Sequence, residues 1–222
     1  MHGPNPLDGF EVDRATIQTV GHDLQRPECI LAEPDGTLWA ADARGGVMRI
    51  APDGTQRFIG QQADARFGQA KADDDAAVEH KFTTGTLPNG LAFAENGDIL
   101  ISNFGTDRLE RMTRDGQTRV LADSIDGQPI GKVNFVLRDA KGRIWITVST
   151  RVNPWTKAAG TRVRDGYVAV LDATGLYVVA DGFHFTNDIR LDARGQWLYI
   201  VETTGPHITR MRVDESGPRV RL

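Results

Sequence analysis

The chain has 222 residues, with 26 Lys+Arg against 30 Asp+Glu, a formal charge of −4 and 40% hydrophobic residues. This is an ordinary globular composition that excludes wholesale disorder, and the charge gives no basic field for nucleic acid. No apolar run nears the roughly 18–20 residues of a bilayer span, residues 1–14 lack the basic-then-apolar pattern of a secretory signal, and the single Cys29 excludes an intramolecular disulfide or a Cys-rich zinc site. The expectation is a soluble, cytoplasmic protein with no nucleic-acid or membrane partner.

Phe10–Val20 alternates like a strand. After it, four segments share one pattern: 26–54, 87–116, 132–150 resuming at 165–182, and 184–217. Each opens with a short apolar run and turns at a glycine, Gly36, Gly97, Gly142 or Gly195. A second apolar strand follows at once: LWAADA, ILISNF, IWITVST, LYIVET. A third run alternates apolar and charged residues, which predicts a more exposed outer strand. Three of the units close with a fourth apolar piece, TQRFIG, TRVLAD and LYVVADG. Short strands, Gly turns and a period near 45 residues predict an all-β propeller of four-stranded blades. The blades fall at about 26–60, 87–123, 132–182 and 184–222, in a single domain.

Two insertions interrupt them. Residues 61–86 are polar, include the acidic triplet Asp73–Asp75, and have helical spacing over Gln61–Glu79. Residues 151–164 are basic and carry Trp155. Each either caps a binding site from the rim or is a solvated insertion. Arg151, Trp155 and Arg162 are candidates to hold an anionic or sugar-like substrate. Trp39, Trp145 and Trp197 lie in second strands and read as core fillers.

The chemistry concentrates where the first strands begin. Glu28, Asn89, Asn134 and Asn187 each precede their turn glycine by eight residues. In a rotationally repeated fold, equal offsets place these side chains on one ring at one depth. One carboxylate and three carboxamides offer only oxygen, which suits calcium, magnesium or manganese better than zinc. Asn89, taken alone, reads as a turn residue before Gly90. Cys29 reads as a small buried apolar residue. The five histidines have no ligand spacing, although His184 lies three residues before Asn187.

RPECILAEPDGTLWAAD, LPNGLAFAENGDILISN, KVNFVLRDAKGRIWIT and FTNDIRLDARGQWLYIVET resemble the SMP-30/gluconolactonase/luciferin-regenerating-enzyme-like propellers over residues 25–214. The resemblance implies a six-bladed fold, of which about four blades are present, the parent being truncated near the C-terminus. A closed four-bladed ring, completed by Phe10–Val20, is the other possibility. It also implies a calcium-dependent hydrolase of a lactone or sugar-derived ester, its ion held by Glu28, Asn134 and Asn187, with Asn134 and Asn89 binding substrate. The sequence departs from the family pattern at Phe135, where Asp is usual, and at Asp188, where Gly is usual. The family's later Asp, a ligand and candidate base, would lie past Leu222. Asp188 is its candidate catalytic replacement, although adjacent strand residues point to opposite faces. A non-catalytic binding or scaffold propeller, a metal-free strictosidine-synthase-like enzyme and an inactive fragment of the hydrolase are the competing readings.

Overall fold

The computed structural model describes residues 8–62, 85–160 and 162–222. The triplet at 73–75 and nearly all of the 61–86 insertion lie outside these residues. The first sheet is β1 (Ile30–Ala32), β2 (Leu38–Asp42), β3 (Gly46–Ile50) and β4 (Gln56–Gly60). The second is β5 (Pro88–Phe93), β6 (Ile99–Asn103), β7 (Arg108–Met112) and β8 (Thr118–Ala122). A two-stranded hairpin, β9 (Ser124–Ile125) and β10 (Gln128–Pro129), leads to the third, which is β11 (Val133–Arg138), β12 (Ile144–Val148), β13 (Gly166–Asp172) and β14 (Gly175–Phe183). The fourth has three strands, β15 (Thr186–Leu191), β16 (Trp197–Glu202) and β17 (His207–Arg212).

All pairings within these sheets are antiparallel between sequence neighbours, as short connections dictate. The first strands β1, β5, β11 and β15 pack against one another in succession. Each sheet therefore stacks on the next with its first strand innermost, in a propeller-type arrangement. The second strands of the first three sheets are buried almost throughout, while β16 in the fourth alternates between buried and more open positions. Trp39 and Trp145 fill the spaces between sheets, and their indole N–H groups donate to Glu33 at 2.8 Å and Asp139 at 2.8 Å. Trp197, in the fourth sheet, is only partly buried, and Arg210 lies across it.

Two expectations are corrected. The third strands of the first three sheets are mostly buried, and exposure falls instead on the fourth strands β4 and β8. Their charged residues pair along the sheet, Arg111 with Asp98 at 2.7 Å, so charge alternation did not mean solvent. Phe10–Val20 forms no strand. It is exposed, contains one 3₁₀ turn at Arg14–Thr16, and adds nothing to the fourth sheet. Alternation supplies a strand only where a partner edge satisfies its backbone.

Candidate active site

The eight-residue register has a backbone cause. The β5–β6 pairing slips between Pro88 and Gly90, the β11–β12 pairing between Val133 and Phe135, and the β15–β16 pairing between Thr186 and Ile189. Asn89, Asn134 and the Asn187–Asp188 pair therefore all sit in β-bulges at the starts of inner strands. A bulge takes a residue out of the ladder and re-aims its side chain. Asn89 is thus no turn residue. It is buried within the sheet.

A repeated hydroxyl contact holds these bulges together. Ser102 Oγ accepts the Gly90 N–H at 2.7 Å and donates to the Asn134 carbonyl at 2.6 Å. Thr147 Oγ1 accepts the Phe135 N–H at 3.0 Å and donates to the Asn187 carbonyl at 2.5 Å. Both hydroxyls lie five residues after their turn glycine, where the first sheet has Ala41. Gly90 is required at this seam. A Cβ there would lie 2.7 Å from the Phe135 Cα and 2.9 Å from the Val136 nitrogen, so the backbones approach only because it has none.

The side chains join across sheets. Asn89 Nδ2 donates to Asn134 Oδ1 at 3.0 Å and to its carbonyl at 2.9 Å. Asn134 Nδ2 donates to Ser149 Oγ at 2.9 Å, and that hydroxyl donates to the Thr186 carbonyl at 2.7 Å. On the other side, the Arg26 guanidinium donates to Asn89 Oδ1 at 3.0 Å and pairs with Glu28 Oε1 at 3.0 Å. Arg26 has φ +48°, in the left-handed region, a strain the surrounding contacts must hold. Glu28, Asn89 and Asn134 are thus brought into one network. The side chain of Asn187 is not. It is partly exposed and donates to Thr203 Oγ1 at 3.1 Å, and only its carbonyl meets the network, through Thr147.

Asp188 pairs with Arg190 at 3.1 Å. Burial pushes its carboxyl above the ordinary value, and the guanidinium opposes that shift. Strict alternation is suspended inside the bulge, so Asn187 and Asp188 need not face opposite ways. Cys29 is buried, its Sγ 3.6 Å from the Leu91 carbonyl, and burial raises its thiol pKa.

The 151–164 insertion docks through Trp155 and Ala158, while most of its other described residues are exposed. Trp155 meets Phe104 edge-on at 5.5 Å between ring centroids and Phe185 at 5.8 Å. These rings cluster with Leu87 and Ala158 at the openings of β5 and β15. Arg151 lies over the Tyr167 ring at 4.3 Å, and Arg162 is exposed.

The donor set fits a hard cation. Among the described residues, Glu28 Oε2 and Asn187 Oδ1 accept no hydrogen bond, and Asn134 Oδ1 accepts one, leaving a lone pair. Glu28, Asn134 and Asn187 are the residues that would hold such an ion. Arg26 competes for it, because its guanidinium already sits on Glu28. No group of three or more His, Cys, Asp or Glu that could hold a metal occurs among the described residues. Spacing reasoning missed Arg26, Ser102, Thr147 and Ser149. The five-residue offset shared by Ser102 and Thr147 was a signal available to it.

The family profile of the SMP-30/Gluconolactonase/LRE-like region matches residues 66–221. Among solved structures, a gluconolactonase from Xanthomonas campestris aligns with TM-score 0.61 at 19% identity, over 85% of this chain and 57% of that one. A protein described as a candidate gluconolactonase aligns with TM-score 0.63 at 17% identity, over 87% and 61%. Virginiamycin B lyase from Staphylococcus aureus aligns with TM-score 0.51 at 16% identity, over 86% and 56%. At these identities the likeness is one of fold, and the chain spans 61% or less of each structure's length. Among curated proteins none matches the chain. No described helix is long and apolar enough to cross a membrane.

Proposed function

The chain belongs to the SMP-30/gluconolactonase/LRE-like family, and from that premise we propose that it hydrolyses a lactone or a related ester, with a divalent cation, calcium by preference, held by Glu28, Asn134 and Asn187. The observation that carries this reading is the network that joins Glu28, just ahead of β1, to Asn89 and Asn134 in the bulged starts of β5 and β11. When bound, the ion supplies Lewis acidity toward a carbonyl oxygen and lowers the pKa of water.

The chain's own residues do the rest. Ser102 and Thr147 fix the bulges, so the carboxamides are oriented before any ligand arrives, which removes reorganisation from the reaction. Asn89 spends its amide N–H groups on Asn134 and its oxygen on Arg26, so it sets the tilt of its neighbour. Asn187 is open to an incoming ligand. Phe104 and Phe185 are buried beside the inner-strand openings and hold Trp155, whose partly exposed ring is the apolar surface that would exclude water from a bound sugar ring. The substrate is a small molecule.

The test is hydrolysis of a panel of sugar and aromatic lactones, followed by proton release, before and after chelation and with calcium restored. The reading expects turnover that chelation abolishes and calcium returns. Absence of lactone and ester hydrolysis at any calcium concentration contradicts it.

A further inference from the structure

We propose that His207, held by the buried carboxylate of Glu202, is the proton-transfer group of this site, with His184 as the second imidazole that positions the carboxylate. The inference rests on the hydrolase reading above.

Glu202 ends β16 directly opposite Thr186, the residue before Asn187. Its side chain is only 3% exposed. Oε2 accepts the His184 backbone N–H at 2.7 Å and lies 3.1 Å from His184 Nδ1. Oε1 accepts from Thr209 Oγ1 at 2.9 Å and lies 2.8 Å from His207 Nε2. Burial alone would raise the carboxyl pKa. The His184 backbone N–H, the Thr209 hydroxyl and the His184 imidazole lead the opposing contributions and hold the group below its ordinary value. It is therefore an anion at neutral pH. An anionic oxygen accepts, so each imidazole presents an N–H to it. For His207 this fixes the tautomer with hydrogen on Nε2 and leaves Nδ1 as a base. The His207 side chain is 54% exposed, so that nitrogen can reach water.

The surroundings are shaped for the pair. The turn after β16 passes so close that a Cβ on Gly205 would lie 2.9 Å from His184 Nδ1 and 3.0 Å from His207 Cε1. Any other residue there would push an imidazole off the carboxylate. The imidazoles meet edge to face at 6.3 Å between centroids. Phe185, beside His184, has φ +56°, a conformation rare for an aromatic residue. The same turn ties this cluster to the candidate site. Thr203 Oγ1 receives the Asn187 amide, and Thr204 Oγ1 donates to the Gly160 carbonyl of the insertion at 3.3 Å.

The step balances without an oxidant or reductant. Water gives a proton to His207 Nδ1 as its oxygen bonds to the acyl carbon. The acyl carbon–ring oxygen bond then breaks, and the departing alkoxide takes that proton back from the imidazolium. One water is consumed and one hydroxy acid is formed. Asp188, the other carboxylate near Asn187, is already paired with Arg190.

The experiment measures glucono-1,5-lactone hydrolysis by the wild type, His207→Ala, Glu202→Gln and Asp188→Asn, with circular dichroism reporting the fold. His207→Ala is expected to lose about 100-fold or more in kcat, in the range of general-base removal, at nearly unchanged KM. Added imidazole should restore at least part of the rate to that variant. Glu202→Gln should lower kcat without rescue, because its imidazole is present but misdirected. A folded His207→Ala with wild-type kcat, or a loss that imidazole leaves untouched while Asp188→Asn is inactive, overturns the inference alone. A wild type inactive on every lactone overturns the hydrolase reading and this inference with it.

Discussion

Glu110 on β7 and Glu202 on β16 are both almost fully buried, yet their carboxyls shift in opposite directions. Burial dominates at Glu110, where the partners are the neutral amides of Asn103 and Gln61 and the Thr106 hydroxyl, and the pKa rises. At Glu202 burial is outweighed by a backbone N–H, a hydroxyl and two imidazoles, and the pKa falls. Glu110 lies deeper in the protein and has weaker donors, so depth and donors together set the direction of each shift. The comparison extends to the sheets themselves. The seam between the second and third sheets is closed and satisfied, while the start of the fourth carries the same bulge with its side chains still open to ligands.

The largest effect that would break this contrast is at Gly90. Gly90→Ala forces a methyl against the backbone of the third sheet and is expected to cost about 3 kcal/mol, the upper end for overpacking, read by urea denaturation. Tolerance of alanine would mean that the seam is loose. Next comes a paired test of the two asparagines. Asn134→Ala strips a buried group from Asn89 and Ser149 and should cost about 2 kcal/mol. Asn187→Ala, at a partly exposed position, should cost less than about 0.5 kcal/mol. Equal costs would erase the difference between the two regions.

The two glutamates predict opposite pH dependences. The raised value at Glu110 adds stability below the ordinary carboxyl value near 4.5, lost as pH rises through its folded value. The lowered value at Glu202 adds stability above that ordinary value, lost as pH falls through its folded value. Glu110→Gln should therefore remove a decline in stability on the rising side of 4.5, and Glu202→Gln a decline on the falling side. Thermal midpoints across that range, with the two variants changing the same limb, would contradict the assignment. A more modest effect is expected at Arg26. Arg26→Met frees Glu28 and should tighten terbium binding, read by luminescence, several-fold. Weaker binding in the variant would make Arg26 a supporting residue rather than a competitor.

Much of this was legible in the sequence, for a physical reason. A repeated sheet converts chain offset into spatial register, so Gly36, Gly97, Gly142 and Gly195 located the strands, and the eight-residue offset located Asn89 and Asn134. The bulges that aim those residues left only the shared offset of Ser102 and Thr147, because a slipped ladder depends on which partner N–H finds which carbonyl. Arg26 escaped because a long side chain reaches across sheets, which spacing along one strand does not record. His184, Glu202 and His207 come from a strand approach, a strand end and the strand after it, and no short motif joins them. Phe10–Val20 misled in the opposite sense, since its alternation was real but no edge received it.

The most direct measurement is lactone hydrolysis by Asn187→Ala beside the wild type, in calcium, with thermal unfolding run on both. The wild type is expected to turn over, and the variant to melt at the same temperature but lose about 100-fold or more in rate, as removal of a transition-state contact does. A folded variant with the wild-type rate would contradict it and place the chemistry away from the bulged asparagines.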